Sequence, residues 1–196
     1  MGMKAVIMAG GEGRRLKAVT GDLPKPMVPL LGKPLMERTV ELLRENGITD
    51  ICATLGYNPA PILSHFGGGE DFGVHLSWRI EDKPLGTAGG VKNCMDFIGS
   101  EPFLVLSGDA ACDFDLRRLA EEHTRSGAAV TMALYESPDP LRYGLVVPDA
   151  DGSVRCFIEK PPWERVVTNL VNTGIYVIEP RAMELVPCLL YTSPRP

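Results

Sequence analysis

Lys4-Ala5-Val6-Ile7-Met8-Ala9-Gly10-Gly11-Glu12-Gly13-Arg14-Arg15-Leu16 is the stretch that decides the reading of this chain. A short apolar run, residues 5–8, ends at paired glycines, the pattern of a buried strand entering a tight loop. Glycines allow positive φ and close approach of backbone to a ligand, so successive N–H groups can point at phosphate oxygens. Arg15 adds a fixed cation. No Gly-Lys-Ser/Thr follows, so the loop is not a P-loop, and the third glycine of a dinucleotide fingerprint is absent. Alone, such a loop is equally a plain tight turn.

Outward from this stretch, strand-like and helix-like segments alternate. Leu35, Met36, Val40, Leu42 and Leu43 recur at helical spacing over residues 35–45, and Asn46-Gly47 supplies a stop. Residues 51–55 read as a strand, 61–66 as a short helix, 75–80 as a strand and 89–97 as a helix. A buried strand at 103–106 ends at Ser107-Gly108-Asp109, and Asp115 caps a helix reaching about Ser126. Strands at 130–135, 145–147, 154–159 and 171–178 follow. The alternation predicts an α/β fold built on a mostly parallel sheet. The expected organisation is one domain over residues 1–187, without repeats or an interdomain linker.

Composition narrows the class. The chain has 196 residues, 44% of them hydrophobic and 23% charged, as in ordinary globular proteins. A net charge of −5 argues against a nucleic-acid binder while permitting a nucleotide substrate. No apolar run reaches the length of a bilayer span, and the start leaves no room for a signal peptide. The cysteines at 52, 94, 112, 156 and 188 form no C-x-x-C pair and read as reduced, mostly core thiols of a cytoplasmic protein. His65, His75 and His123 lie apart and read as structural, and Trp78 and Trp163 as packing residues.

Leu23-Pro24-Lys25-Pro26-Met27 brackets a lysine between prolines that stiffen its support. With the opening glycine loop, it resembles the signature of the sugar-1-phosphate nucleotidyltransferases, the NDP-sugar pyrophosphorylases. The resemblance runs to about Pro187. It takes in Pro84-Leu85-Gly86-Thr87-Ala88-Gly89, similar to the family's base-contacting loop, and Ser107-Gly108-Asp109, similar to its metal-binding strand end. Tyr143-Gly144, Phe157-Ile158-Glu159-Lys160-Pro161 and Val171-Asn172-Thr173-Gly174 resemble its sugar-phosphate motifs. Within the family the likeness is nearest to mannose-1-phosphate guanylyltransferases.

The resemblance implies a Rossmann-like mixed, mostly parallel sheet with helices on both faces and a site at strand C-termini. It implies transfer of a nucleoside monophosphate from a nucleoside triphosphate, GTP, to a sugar 1-phosphate, mannose 1-phosphate, with release of pyrophosphate. Catalytic roles fall to Arg15, Lys25 and Asp109, with Mg²⁺ on Asp109. Nucleotide binding falls to Ala9, Gly10, Gly11, Gly13, Arg15, Lys25, Gly86, Thr87 and Ala88, and sugar-phosphate binding to Gly144, Glu159, Lys160 and Asn172. Against these stand a loop-capping Asp109, a solvated Lys160 and an Asn172 that serves a turn. A glucose-1-phosphate uridylyl- or thymidylyltransferase, a non-catalytic sugar-nucleotide-binding relative and a homo-oligomer stay open.

Two departures bear on this reading. Arg14 replaces the family's small residue, and Lys17-Ala18-Val19-Thr20 replaces Arg-Pro-Leu-Thr. The family's second metal-binding aspartate, in a W-x-D-x-G segment, has no match. Residues 188–196 lack a helical period, and Cys-Leu-Leu-Tyr-Thr-Ser can be encoded by a common sequencing-library adapter. The expectation is a reading frame cut short after Pro187, with a non-native tail and a fragment of impaired activity.

Overall fold

The structure is a computed structural model that describes residues 2–11 and 21–187. Its contacts divide into two compact units, Met1–Thr131 with Val177–Pro196, and Met132–Tyr176.

In the first unit, strands β1 (Lys4–Ala9), β4 (Asp50–Leu55), β5 (His75–Ile80) and β6 (Phe103–Ser107) form a parallel array in the order β5-β4-β1-β6. Ala5, Val6 and Ile7 are fully buried, as are Ile51, Cys52 and Ala53, and Phe103 to Leu106 is nearly so. Continuous burial of this kind is what parallel strands covered on both sides require. The expected strand-and-helix alternation therefore resolves into the expected sheet.

Between β1 and β4 lie the two-residue strands β2 (Pro29–Leu30) and β3 (Lys33–Pro34), then helix α1 (Leu35–Glu45). The helix buries Met36, Thr39, Val40 and Leu43, one stripe at i, i+3, i+4 and i+7. It ends in a Schellman arrangement: Gly47, at φ 79°, donates to the Arg44 carbonyl and Ile48 to the Leu43 carbonyl, both at 2.9 Å. Helix α2 (Ala60–Phe66) precedes β5, where Trp78 packs beside Phe66 and donates to the Gly67 carbonyl at 2.9 Å.

The single helix expected over 89–97 is instead two. Helix α3 (Gly86–Lys92) starts three residues earlier, and α4 (Met95–Ile98) follows a break at Asn93-Cys94. Glycine at 86, 89 and 90 hid the true start from any apolar period. Helix α5 (Leu116–Ser126) begins as expected at Asp115, whose side chain accepts the Arg118 amide at 3.0 Å, and closes at Gly127 with φ 62°.

The second unit is antiparallel. The chain enters it within β7 (Val130–Glu136) and leaves within β10 (Leu170–Ile178); β8 (Gly144–Pro148) pairs β9 (Val154–Glu159) and β10. Beyond β10 the chain forms a 3-10 segment, Pro180–Leu185, that buries Met183. Trp163, expected to pack, is 70% exposed in the loop after β9. Among the described residues no helix is long and apolar enough to cross a membrane.

Candidate active site

Strand order reverses around β1: β4 and β5 build outward on one side and β6 returns on the other. In open α/β sheets such a switch point leaves a crevice beyond the strand C-termini, because flanking loops diverge there. A pocket of about 330 Å³ occupies this position. Met8, Gly10, Gly11, Thr54, Glu81, Pro84, Gly86, Thr87, Ser107 and Asp109 line it, coming from the ends of all four parallel strands and the start of α3.

Steric demands explain two glycines next to the pocket, Gly56 and Gly108. A Cβ on Gly56 would lie 2.6 Å from the Gly10 carbonyl oxygen, so the loop after β1 crosses the end of β4 only because position 56 is bare. A Cβ on Gly108 would meet Ile7 at 2.9 Å, and the Gly108 amide donates to the Met8 carbonyl at 2.9 Å, drawing the β6 end onto β1. Neither Gly10 nor Gly11 uses the positive φ open to glycine, whereas Gly86, at the start of α3, does (72°); Gly13 lies outside the described residues.

Lys25 and Asp109 meet here. Lys25 opens a 3-10 turn, Lys25–Met27, closed by the Met27 amide on the Pro24 carbonyl at 2.8 Å and anchored by buried Pro26. Its Nζ lies 2.7 Å from Asp109 Oδ2, while Ser107 Oγ donates to Asp109 Oδ1. Thr39 of α1 donates to the Ala110 carbonyl at 3.3 Å and steadies the loop that carries the aspartate. Burial pushes the Asp109 carboxyl upward, but the Lys25 and Ser107 hydrogen bonds and the Lys25 charge outweigh it and hold the group below its ordinary range. Asp109 is thus paired with a cation across 84 residues as well as with its neighbour Ser107.

Glu81, just beyond β5, is a site residue that the sequence reading missed. Its Oε2 accepts the Leu85 amide at 3.1 Å, and its own amide donates to the Leu55 carbonyl at 2.7 Å. A Cβ on Gly90 would lie 2.6 Å from Glu81 Oε1, so the carboxylate fits against a bare stretch of α3. The available signal was an acid three residues before Pro84 at a strand end. Ala9 and Ala88 flank lining residues without lining the pocket themselves. Gly13 and Arg15, with the departures at 14 and 17–20, lie outside the described residues.

In the second unit, Gly144 pairs with Glu159, and a Cβ at 144 would meet Glu159 Oε2 at 2.8 Å. Lys160 follows with φ 39°, a left-handed backbone uncommon outside glycine and more frequent at functional sites, and its amide donates to the Tyr143 carbonyl at 3.2 Å. Val171, beside Asn172, pairs with Leu145, beside Gly144. The Asn172 side chain serves a local turn: Oδ1 accepts the Gly174 amide and the Tyr176 hydroxyl, both at 2.9 Å.

A magnesium ion fits the donor chemistry at Asp109. Mg²⁺ is commonly held by one or two carboxylates together with substrate phosphates, and Asp109 offers a carboxylate at the pocket wall. No group of three or more His, Cys, Asp or Glu side chains able to hold a metal occurs among the described residues, so most of the shell would come from substrate and water.

Residues 4–188 match the family described as Nucleotidyl transferase. A UTP--glucose-1-phosphate uridylyltransferase from Synechocystis is 38% identical over 94% of this chain and 51% of its own length. A mannose-1-phosphate guanyltransferase from Candida albicans is 35% identical over 94% and 52%. The crystal structure of HddC from Yersinia pseudotuberculosis complexed with GMP-PN superposes with a TM-score of 0.82 at 34% identity, over 94% of this chain and 80% of that one. The chain spans about half the length of the curated relatives it matches.

Proposed function

Because the chain belongs to the nucleotidyl transferase family and its relatives are sugar-1-phosphate nucleotidyltransferases, we propose that it is the nucleotide-binding part of a guanylyltransferase that joins GTP to mannose 1-phosphate. The observation that carries the choice of base is Glu81. A carboxylate is acceptor-only, and guanine presents two adjacent donors, N1–H and the N2 amino group. Uracil and thymine present one donor, N3–H, between two carbonyl oxygens that a carboxylate repels. Glu81 stands in the pocket with Pro84, Gly86 and Thr87 of the loop proposed to hold the base.

The chemistry is an in-line attack by the sugar phosphate oxygen on the α-phosphorus, with pyrophosphate leaving. No protein nucleophile is required, so positioning and charge stabilisation do the work. Lys25, and Arg15 ten residues before it in sequence, neutralise the triphosphate. Asp109 would hold Mg²⁺, which supplies charge neutralisation at the phosphate oxygens. Lys160 grips the phosphate of the sugar phosphate, and Gly144, Glu159 and Asn172 meet sugar hydroxyls. The ion pair between Lys25 and Asp109 keeps both groups at the pocket before substrate arrives.

Equilibrium titration of the chain with GTP, UTP and dTTP tests the base assignment. GTP is expected to bind at least about tenfold more tightly than either pyrimidine, since one charge-assisted hydrogen bond is worth roughly 1.5–3 kcal/mol. Equal or tighter UTP binding would move the protein to the uridylyltransferase reading that the Synechocystis relative represents.

A further inference from the structure

Two thiols that the proposed chemistry does not use lie directly beneath the wall of the base pocket. Cys52 of β4 and Cys94, at the break between α3 and α4, are both fully buried, and their sulfurs are 3.5 Å apart. Cys52 shares a face of β4 with Thr54, two residues on, and Thr54 lines the pocket. Cys94 donates to the Gly90 carbonyl at 3.6 Å, and Gly90 is the bare position against which Glu81 rests. Above the pair, Arg79 of β5 is bound to Asp96 of α4 at 2.6 Å.

We propose that Cys52 and Cys94 are a disulfide-forming pair whose oxidation by a hydroperoxide weakens nucleotide binding by drawing the α3–α4 junction onto β4. The effect on binding rests on the base-pocket reading above; formation of the bond does not. One thiol attacks the peroxide oxygen and becomes a sulfenic acid with loss of water or alcohol. The sulfur of the other then attacks the sulfenic sulfur, forming the S–S bond and releasing water. Two thiols lose two electrons and two protons, and the hydroperoxide takes up both.

Geometry gives the step its consequence. A disulfide holds its sulfurs about 2.05 Å apart, so the pair must close by roughly 1.5 Å. A Cβ on Gly90 would lie 2.6 Å from Glu81 Oε1 and 3.6 Å from Thr54 Oγ1, so α3 packs closely over this end of β4 and closure at Cys94 is transmitted through it to Glu81 and the loop at Gly86. Contact with Cys94 lowers the Cys52 thiol below its ordinary range against the effect of burial, with the nearby Arg79 charge adding to it. Access comes by opening of α3 and α4, short helices of seven and four residues over the strand.

The test treats the chain with hydrogen peroxide, blocks remaining thiols and maps peptides without reduction. The expected result is a linked peptide pair carrying Cys52 and Cys94, reversed by dithiothreitol. The Kd for GTP, and for UTP measured alongside, should rise about tenfold on oxidation, while Cys52→Ala and Cys94→Ala lose that sensitivity. Amide exchange across Gly86–Lys92 should slow in the oxidised chain whether or not a nucleotide binds. Absence of the link after exposed Cys156 is fully oxidised overturns the pair. A link with unchanged exchange and unchanged affinity overturns its effect on the pocket. Failure of the reduced chain to bind GTP counts against the base-pocket reading alone, and the peptide map and exchange still decide the thiol pair.

Discussion

Asp109→Asn is expected to lower metal-dependent pyrophosphate release about 100-fold or more in the chain extended by a relative's C-terminal part. That is the scale on which loss of one preorganised electrostatic group falls. The amide keeps the shape of the side chain and the Ser107 contact. It loses the charge that pairs with Lys25 at 2.7 Å and that would hold Mg²⁺. Magnesium titration of the rate checks this, and an unchanged metal dependence would remove Asp109 from the ion.

The same variant carries a pH signature. Asp109 is held below its ordinary range in the folded chain, so its contribution to stability is complete above the unfolded value, about pH 4. It is lost as pH falls through the folded value. Melting followed downward from pH 5 should therefore fall more steeply in the parent than in Asp109→Asn. Parallel acid limbs would mean that the Lys25 pair contributes nothing to folding.

The second large effect is expected from Glu81→Gln. In the proposed complex the carboxylate would meet both guanine donors with acceptors; the amide offers one acceptor and one donor group, which suits N3–H beside a carbonyl of uracil. GTP affinity should fall by roughly 10- to 100-fold, the worth of one charge-assisted contact, while UTP affinity rises. A variant that weakens both nucleotides equally would make Glu81 a support for the Leu85 amide and no reader of the base.

An acid at the end of a strand, such as Glu81, is commonplace, and its meaning arises from Gly90, nine residues away, lying bare against it. The Lys25–Asp109 pair is equally non-local; each residue was visible in its own motif, but their contact follows from the order β5-β4-β1-β6. Local signals carried well where local physics decides, as at the Asp115 cap and the Gly47 stop. They failed in the glycine-rich stretch from 86 to 94, where missing side chains leave no period to read, and at Trp163, whose bulk suggested packing it does not have. Asn172 satisfies the turn reading, with its sugar role resting on the family pattern.

Pyrophosphate release from the extended chain over GTP, UTP and dTTP, each with mannose 1-phosphate and glucose 1-phosphate, decides between the nucleotidyltransferase specificities. GTP with mannose 1-phosphate should give the highest kcat/KM, at least about tenfold above any pyrimidine pair, as expected of one charge-assisted contact at Glu81. A highest value for UTP or dTTP with glucose 1-phosphate would contradict the guanylyltransferase reading.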